Sequence, residues 1–307
     1  MFHHPYLIRV NLWRMKLLEL AAANFDLEKT LGSGQVFHWE KLGRAFCGTI
    51  GERAVYVEQL GSDLNLHIAQ RKLDGLKPSS LATLIGHYFA LDHPLEEICA
   101  SLPRDPVMDV ARQFCRGLRI IRQPKWECLA TFICSSMKQV AHIRQISRAM
   151  RERFGEKKEI CRHEVYSFPP ADRLAGTSEH ELRKCGLGYR AKNLLATAKR
   201  VALREANLES WSALPDVELR EQLCQLPGVG AKVANCVMLF GYERIKAFPI
   251  DVWIERVLRE KYFPRKRKLT SASLAEFAAN YFGTHGGYAQ QYLFHHARMT
   301  GKRRRKG

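Results

Sequence analysis

The fold of this chain is decided by the stretch Leu226-Pro227-Gly228-Val229-Gly230-Ala231-Lys232. The surrounding residues predict a helix over 218–225 and a second helix from Ala231, with the two glycines forming a tight reversal between them. Glycine lets backbone N–H groups approach a phosphate oxygen, and the positive end of the second helix points at the same anion. We therefore predict that Gly228, Val229 and Gly230 hold a phosphate backbone without reading bases. An ordinary loop between two packed helices is the alternative, which a bare Gly-x-Gly would favour.

Lys232 and Asp251 are the candidate reactive groups, and Asp251 stands nineteen residues after the lysine in Phe248-Pro249-Ile250-Asp251. A cation in the first turn of a helix opposes the helix dipole, so Lys232 either contacts another phosphate or attacks a sugar C1′ as an amine nucleophile. Attack requires an uncharged amine, which desolvation or a second cation must provide. Asp251 is predicted to cap the next helix, and its carboxylate can also stabilise positive charge that develops on the sugar.

The bulk composition favours a polyanionic partner. The 307 residues contain 49 Lys and Arg against 31 Asp and Glu, which gives a net charge of +18. Each neutralised phosphate releases a condensed counterion, so this excess favours nucleic acid. The nine cysteines form no Cys-x-x-Cys pair, which predicts reduced thiols in a reducing compartment and no metal site. No apolar run is long enough to span a bilayer, and we expect a monomer that does not bind membranes.

Two kinds of periodicity divide the chain. Residues 25–69 alternate in short β-branched and aromatic runs, which predicts an antiparallel meander with strands at residues 36–39, 45–50, 54–57 and 64–68. After Leu81 the apolar residues recur at three and four positions, as helices require. The fold class is therefore α+β, an N-terminal antiparallel twisted β-sheet followed by a mostly α-helical body. The predicted domains are 1–110 for the β domain with flanking helices, 111–300 for the helical body and 301–307 for a basic tail.

The hairpin and the Phe-Pro-Ile-Asp segment together resemble the helix-hairpin-helix/Gly-Pro-Asp superfamily of DNA glycosylases. Within it, the chain resembles the 8-oxoguanine DNA glycosylase/AP lyase family, and the resemblance runs from about residue 25 to 300. Further stretches support that narrower resemblance: Ser33-Gly34-Gln35-Val36-Phe37-His38-Trp39; Glu127-Cys128-Leu129 with Phe132-Ile133-Cys134-Ser135-Ser136; Gly186-Leu187-Gly188-Tyr189-Arg190-Ala191; and Gly287-Tyr288-Ala289-Gln290 with Leu293-Phe294.

The resemblance implies a catalytic role for Lys232 as the Schiff-base nucleophile and for Asp251 as the catalytic carboxylate. It also implies a pocket for a flipped base. In that pocket the Gly34 carbonyl accepts the N7 hydrogen that only the oxidised guanine carries, a contact that normal guanine cannot make. Gln290 reads the Watson–Crick edge, and Phe294 and Cys236 sandwich the base. Taken singly, each has a plain structural alternative: a strand bulge for the glycine, an exposed amide for the glutamine, and core packing for the other two.

The contact to the opposite strand departs from the family pattern. Tyr189 and Arg190 resemble the wedge that refills the vacated stack, with the arginine toward the opposite strand. The family's consecutive asparagines are replaced by Met137-Lys138-Gln139, and the arginine that contacts the orphaned cytosine is replaced by His142. An arginine can donate two parallel hydrogen bonds to one base, and its loss predicts a relaxed preference for the base opposite the lesion.

A further departure lies beside the catalytic aspartate. Trp253 stands where the family commonly has a histidine, two positions after Asp251, and we assign it to the base pocket. The resemblance thus extends to the residues that flank the reactive carboxylate, with one substitution among them.

Three functions remain open from the sequence. The first is a bifunctional glycosylase and AP lyase that acts on duplex DNA containing oxidised guanine. The second is a monofunctional glycosylase for alkylated bases, in which Lys232 only binds phosphate. The third is a noncatalytic DNA-binding protein. No cofactor is expected, because no cysteine follows Cys236 to hold the iron–sulfur cluster of related enzymes. The expected location is the cytoplasm with the nucleoid in a bacterium, or the nucleus in a eukaryote.

Overall fold

In the computed structural model, which describes residues 13–71, 78–266 and 268–303, the chain begins with an antiparallel sheet. Its five strands lie in the order β1-β5-β4-β3-β2. Strands β2 to β5 pair in succession, and β1 pairs with β5 from Trp13 opposite Arg71 to Ala21 opposite Asp63. The predicted N-terminal sheet is confirmed. The strand bounds are β1 Trp13–Ala21, β2 Glu40–Leu42, β3 Ala45–Ile50, β4 Arg53–Leu60 and β5 Asp63–Arg71.

The predicted strand at residues 36–39 does not belong to the sheet. Val36, Phe37 and Trp39 are all buried, so the segment lacks the alternating exposed face of an edge strand. Trp39 packs on Gly48 of β3, where an added Cβ would lie 2.8 Å from the indole ring. The β-branched and aromatic composition therefore reflects packing against the sheet, and the prediction of a strand here is wrong.

Three elements were missed in the sequence. Strand β1 is one of them, and helix α1 (Leu27–Gly32) lies inside the region that was predicted as all β. Asp26 caps α1 by accepting a hydrogen bond from the Lys29 amide at 2.8 Å. The third is a hairpin of β6 (Lys157–Ile160) and β7 (His163–Tyr166) within the helical body.

The rest of the described chain is mostly helical, as predicted. Helix α12 continues into a π-helical turn, Leu258–Tyr262. The helix bounds are α2 Pro78–Tyr88, α3 Leu95–Ser101, α4 Pro106–Phe114, α5 Lys125–Cys134, α6 Val140–Phe154, α7 Ala171–Ala175, α8 Glu179–Lys184, α9 Arg190–Ala202, α10 Asp216–Cys224, α11 Ala231–Gly241, α12 Val252–Val257, α13 Ser271–Phe282 and α14 Gly286–Arg303. The predicted basic tail starts inside α14, and residues 304–307 lie outside the described part of the chain.

A buried polar network joins the sheet to the helical body. Glu127 of α5 contacts Arg151 of α6 and lies 3.2 Å from Nδ1 of His38, on the segment before β2. Arg151 Nη1 also donates to Thr49 Oγ1 of β3 at 2.9 Å. Burial lowers the pKa of His38 well below its ordinary value, and the Arg151 charge acts in the same direction. The imidazole is therefore neutral at physiological pH.

Helix α5 runs through the centre of the helical body and organises the region around Lys232. Every residue from Glu127 to Cys134 is buried. Helix α11 packs beside α5 and α10, while α14 packs against α12 and α4. The N-termini of α11 and α12 therefore lie near the end of α5. Among the described residues, no helix is long and apolar enough to cross a bilayer.

Candidate active site

The hairpin between α10 and α11 has the conformation that the sequence predicts. Gly228 has φ +82°, and a Cβ at this position would lie 2.8 Å from Cβ of Asn193, so only glycine fits. Gly230 precedes the first residue of α11, and no side chain caps that helix end. Gly228 and Gly230 are exposed, whereas the Val229 side chain is buried. The Val229 amide donates to the Leu226 carbonyl at 3.1 Å, and its side chain anchors the turn in the core, while phosphate binding by this turn stays a prediction.

Lys232 is the second residue of α11 and points toward the end of α5. Its Nζ donates to Ser135 Oγ at 3.3 Å and lies 5.2 Å from the centroid of the Phe132 ring. Ser135 Oγ in turn donates to the Phe132 carbonyl at 2.7 Å. The half-buried amine is thus held by a hydroxyl and an aromatic face.

Asp251 caps α12, as the sequence predicts. Oδ1 accepts hydrogen bonds from the amides of Trp253 at 3.0 Å and Ile254 at 2.9 Å. Burial raises the pKa of this carboxyl, whereas the two amides and the nearby Lys232 charge lower it. The cap fixes the carboxylate in one orientation close to the amine, while the amine itself donates to Ser135 Oγ.

Gly34 and Phe294 lie against each other, as a base pocket requires. Gly34 has φ +89°, and a Cβ there would be 3.2 Å from Cε1 of Phe294 and 3.4 Å from Cγ2 of Val140. The Gly34 backbone therefore approaches the phenyl ring more closely than any other residue type allows. This contact joins the segment after α1 to α14, which are about 260 residues apart in the chain but form one wall.

Gln290 and Cys236, which the sequence assigns to the base pocket, are both buried. Gln290 lies one helical turn before Phe294 and is 5% exposed. Its Oε1 is buried without a hydrogen-bond partner among the described residues, and an unmatched buried acceptor costs free energy until a ligand donor pairs with it. Cys236 lies one turn after Lys232, and burial raises the pKa of its thiol to about 11. It is therefore a neutral, polarisable surface.

Trp253 does not join this group through the contacts that the structure gives it. Its ring packs on Gly301 of α14, where an added Cβ would be 2.9 Å from Cζ3, and Arg256 lies 5.7 Å from the ring centroid. Gly301 is seven residues beyond Phe294, which corresponds to about 10 Å along a helix. The base-pocket role of Trp253 stays a prediction.

Arg298, which the sequence did not single out, lies beside the Phe294 ring. Its Nη2 donates to the Gly32 carbonyl at 2.5 Å, and its Cζ lies 5.6 Å from the centroid of the Phe294 ring. Burial lowers the pKa of Arg298 to about 10, and the charge of Arg144 adds to this effect. The available signal was its spacing, because a residue four positions after Phe294 shares its helical face.

Outside the hairpin, the predicted DNA-facing residues are exposed with one exception. Tyr189 is 56% exposed and Met137 is 93% exposed, and the other exposed members are Lys138, Gln139 and His142. Arg190 is 5% exposed and donates to the carbonyls of two loops. The prediction that its guanidinium faces the opposite DNA strand is therefore wrong for this structure.

The arrangement defines a class of protein, because a Gly-x-Gly hairpin leads directly into the helix of Lys232, whose amine lies near the capped carboxylate of Asp251. Residues 17–129 match the 8-oxoguanine DNA glycosylase N-terminal domain. Residues 130–280 match the HhH-GPD superfamily of base excision DNA repair proteins. The two matches meet at the middle of α5, so the helix that carries Phe132 and Ser135 lies on their boundary.

Whole-chain relatives narrow the assignment. N-glycosylase/DNA lyase OGG1 of Arabidopsis thaliana is 32% identical over 288 residues, which cover 90% of this chain and 78% of that protein. The N-glycosylase/DNA lyase of Saccharomyces cerevisiae is 31% identical, with 90% of this chain and 84% of that protein covered. The 8-oxoguanine glycosylase/lyase of Clostridium acetobutylicum, solved with double-stranded DNA containing cytosine opposite 8-oxoG, has a TM-score of 0.86 at 30% identity and covers 94% of this chain and 98% of its own. This chain belongs to the 8-oxoguanine DNA glycosylase family of the HhH-GPD superfamily.

Proposed function

We propose that this protein excises 8-oxoguanine from duplex DNA through a Schiff base formed by Lys232 and then cleaves the strand by β-elimination. As a member of its family the protein is a DNA glycosylase and AP lyase, and its relatives carry these activities in their names. One observation carries the mechanistic proposal. The Lys232 amine is half-buried over Phe132 and hydrogen-bonded to Ser135, beside a carboxylate that is fixed by its own helix cap.

The chemistry assigns one role to each of the two groups. Lys232 Nζ donates its electron pair to C1′ as the N-glycosidic bond breaks, and the base leaves with the bonding pair and takes up a proton. Asp251 stabilises the positive charge that builds on the sugar. Loss of a proton from nitrogen and opening of the sugar ring give the imine. Removal of a C2′ proton then breaks the C3′–O bond, and the 3′ phosphate leaves.

Recognition of the oxidised base is proposed for the Gly34 and Gln290 side of the pocket. The Gly34 carbonyl accepts a hydrogen bond from the N7–H of 8-oxoguanine. In normal guanine N7 carries a lone pair, which would face the same carbonyl unfavourably. The unpartnered Oε1 of Gln290 accepts from the Watson–Crick edge. Phe294 and Cys236 enclose the two faces of the ring. Normal guanine is rejected because it leaves a buried carbonyl without a donor.

Opposite-base preference is proposed to be relaxed. The loop residues from Met137 to Gln139 include no arginine, and the exposed residue on the next helix is His142. The guanidinium of Arg190 is occupied by two backbone carbonyls. A cytosine opposite the lesion therefore lacks the bidentate partner that would distinguish it from other bases.

Borohydride trapping separates this mechanism from the alternatives. Duplex DNA with 8-oxoguanine is incubated with the protein, and borohydride reduces any imine to a stable amine. We expect a covalent complex that Lys232→Gln abolishes, with similar yields for each base opposite the lesion. Base release without trapping would support water attack by a monofunctional enzyme, and binding alone would support a noncatalytic protein.

A further inference from the structure

The segment of residues 32–35 carries four successive backbone carbonyls around Gly34. Three of them accept hydrogen bonds from buried side chains: Gly32 from Arg298 at 2.5 Å, Ser33 from Gln291 at 3.4 Å and Gln35 from Gln123 at 2.8 Å. Among the described residues, none donates a hydrogen bond to the Gly34 carbonyl. The carbonyl to which we assign base recognition is therefore open to a ligand, while the carbonyls on both sides of it are held.

The side chain of Gln35 fixes the chain on the C-terminal side of Gly34. Gln35 is buried, and its Nε2 donates to the carbonyls of Thr30 at 3.0 Å and Arg119 at 2.8 Å. Its Oε1 accepts from the Ile121 amide at 2.8 Å. The carbonyl of Gly34 and the nitrogen of Gln35 belong to one planar peptide unit, so anchoring Gln35 limits the rotation of that plane.

Arg298 fixes the chain on the N-terminal side. Besides its bond to the Gly32 carbonyl, its Nη1 would lie 3.3 Å from a Cβ added to Gly34. Its Nη2 is also 3.4 Å from Nδ1 of His295. Burial and the charge of Arg298 lower the pKa of His295 to about 4, so the neutral ring can accept this hydrogen bond. The planar guanidinium is thus held between α14 and the segment before Gly34.

Gly34 depends on its neighbours for a fixed orientation. Its φ is +89°, and a glycine enters this region at no steric cost and leaves it as easily. A carbonyl on such a residue would sample several directions if the adjoining peptide units were free. Because both sides are held by side chains, the ordering of this carbonyl is completed during folding and does not oppose ligand binding.

On the basis of the proposed function, we propose that Arg298 and Gln123 are positioning residues that control the selection of the base. By holding the carbonyls of Gly32 and Gln35, they fix the direction of the Gly34 carbonyl without touching the base. The N7–H of 8-oxoguanine then meets a fixed acceptor, whereas the N7 lone pair of guanine meets an oxygen that cannot turn away. The two side chains therefore set the ratio of the affinities for oxidised and normal guanine, more than the affinity for DNA.

The test measures this ratio by binding. In a Lys232→Gln background, which removes the nucleophile, dissociation constants are measured for duplexes that carry 8-oxoguanine, guanine or an uncleavable abasic analogue at one position. For Arg298→Met we expect the ratio of the guanine to the 8-oxoguanine dissociation constant to fall roughly tenfold, the scale of one hydrogen bond. Affinity for the abasic duplex should stay within about twofold, because phosphate contacts dominate it.

Two further variants isolate the effect. Arg244→Met is the matched control, because Arg244 Nη2 donates to the carbonyls of Ser212 at 2.8 Å and Leu214 at 3.0 Å. It removes the same charge and the same kind of contact from another part of the chain, and the ratio should not change. Gln123→Met should lower the ratio through the Gln35 carbonyl, and it supplies the comparison if Arg298→Met does not fold.

Two results would overturn the positioning role alone. One is an unchanged ratio in folded Arg298→Met and Gln123→Met, and the other is an equal loss of affinity for all three duplexes, which would mean a general structural role. If the Lys232→Gln parent binds the guanine and 8-oxoguanine duplexes equally, recognition by Gly34 fails and the positioning role fails with it. If the variants lose discrimination but the wild type traps no DNA with borohydride, the Schiff-base mechanism fails while the positioning role stands.

Discussion

The side chain of Asp251 caps α12, and substitutions can separate this role from the chemical role that we propose for it. Asparagine keeps an oxygen for the amides of Trp253 and Ile254 and lacks the charge. We expect Asp251→Asn to lower single-turnover excision by about 100-fold while the fold is retained. Asp251→Ala should in addition lose the cap and fall below Asp251→Asn in unfolding free energy by about 1 kcal/mol. Denaturant titration and single-turnover kinetics of both variants check this, and near-normal excision by Asp251→Asn would refute the electrostatic role.

The raised pKa of Asp251 gives the same residue a pH signature. Burial favours the protonated carboxyl in the folded state, so its contribution to stability is present below the ordinary aspartate pKa and is lost as pH rises through the folded-state pKa. Wild type and Asp251→Asn should therefore be similar in acid, and the variant should be the more stable at neutral pH. Excision should fall in acid at a pH above that of an ordinary aspartate. Unfolding free energies of wild type and Asp251→Asn, measured from acid to neutral pH, test the predicted stability difference. Excision rates of the wild type over the same range test the predicted loss of activity in acid.

Ser135 is expected to aim the Lys232 amine. Ser135→Ala removes the hydroxyl that accepts from Nζ at 3.3 Å and leaves the Phe132 ring in place. We expect roughly tenfold slower imine trapping, because a misdirected nucleophile loses the advantage of orientation. The affinity for duplex DNA with an uncleavable abasic analogue should be unchanged, since we expect the phosphate contacts to come from the hairpin. An unchanged trapping rate would mean that the hydrogen bond does not orient the amine.

The positions of the candidate reactive residues could be predicted where the local sequence determines them. The residues that contact them across long stretches of chain could not. Lys232 after two glycines and Asp251 before a helix are set by local chain geometry. The contact of Lys232 with Ser135 spans 97 positions, and that of Gly34 with Phe294 spans more. Arg190 was placed toward the opposite strand because Tyr189-Arg190 resembles the wedge of the family. In the structure its buried guanidinium donates to two backbone carbonyls instead.

At the scale of elements, two substitutions in the hairpin distinguish its contribution to folding from its expected contribution to phosphate binding. Gly228→Ala combines φ +82° with a 2.8 Å approach to Asn193, so we expect a loss of more than 1 kcal/mol in unfolding free energy. Gly230→Ala meets no atom within 4 Å and should fold normally. Its methyl group lies where a phosphate would approach, so its duplex affinity should fall and become less salt-dependent. Equal duplex affinity for Gly230→Ala and wild type would refute phosphate binding by the backbone of this turn.

Helical elements were easier to predict than strands for a physical reason. The three-to-four periodicity of α6 and α9 is local, and it fixes a helix wherever a core face exists. Strand β1 exists because Trp13–Ala21 pairs with β5 about fifty residues later, which no short window shows. Residues 36–39 have strand composition, but Trp39 packs against the sheet face. Tertiary packing therefore overrode local propensity at both places.

At the scale of the whole molecule, the ion pair of Glu127 with Arg151 connects the helical body to the sheet, because Arg151 also donates to Thr49 of β3. Glu127→Ala leaves the Arg151 guanidinium buried without a carboxylate, and we expect a loss of about 3–5 kcal/mol in unfolding free energy. The double variant Glu127→Leu/Arg151→Met should be clearly milder, because no charge remains to be buried. Denaturant titration of the single and double variants measures the difference. A double variant as unstable as Glu127→Ala would show that the charges themselves hold the two parts together.

The central claim is that a covalent bond forms between DNA and the ε-amino group of Lys232. The most direct measurement is tandem mass spectrometry of the borohydride-reduced complex after digestion of the protein and the DNA. We predict that the mass of the reduced deoxyribose remnant lies on Lys232 and disappears with Lys232→Gln. A remnant on another amine, such as Lys138 in the neighbouring loop, or its persistence in Lys232→Gln would contradict the mechanism.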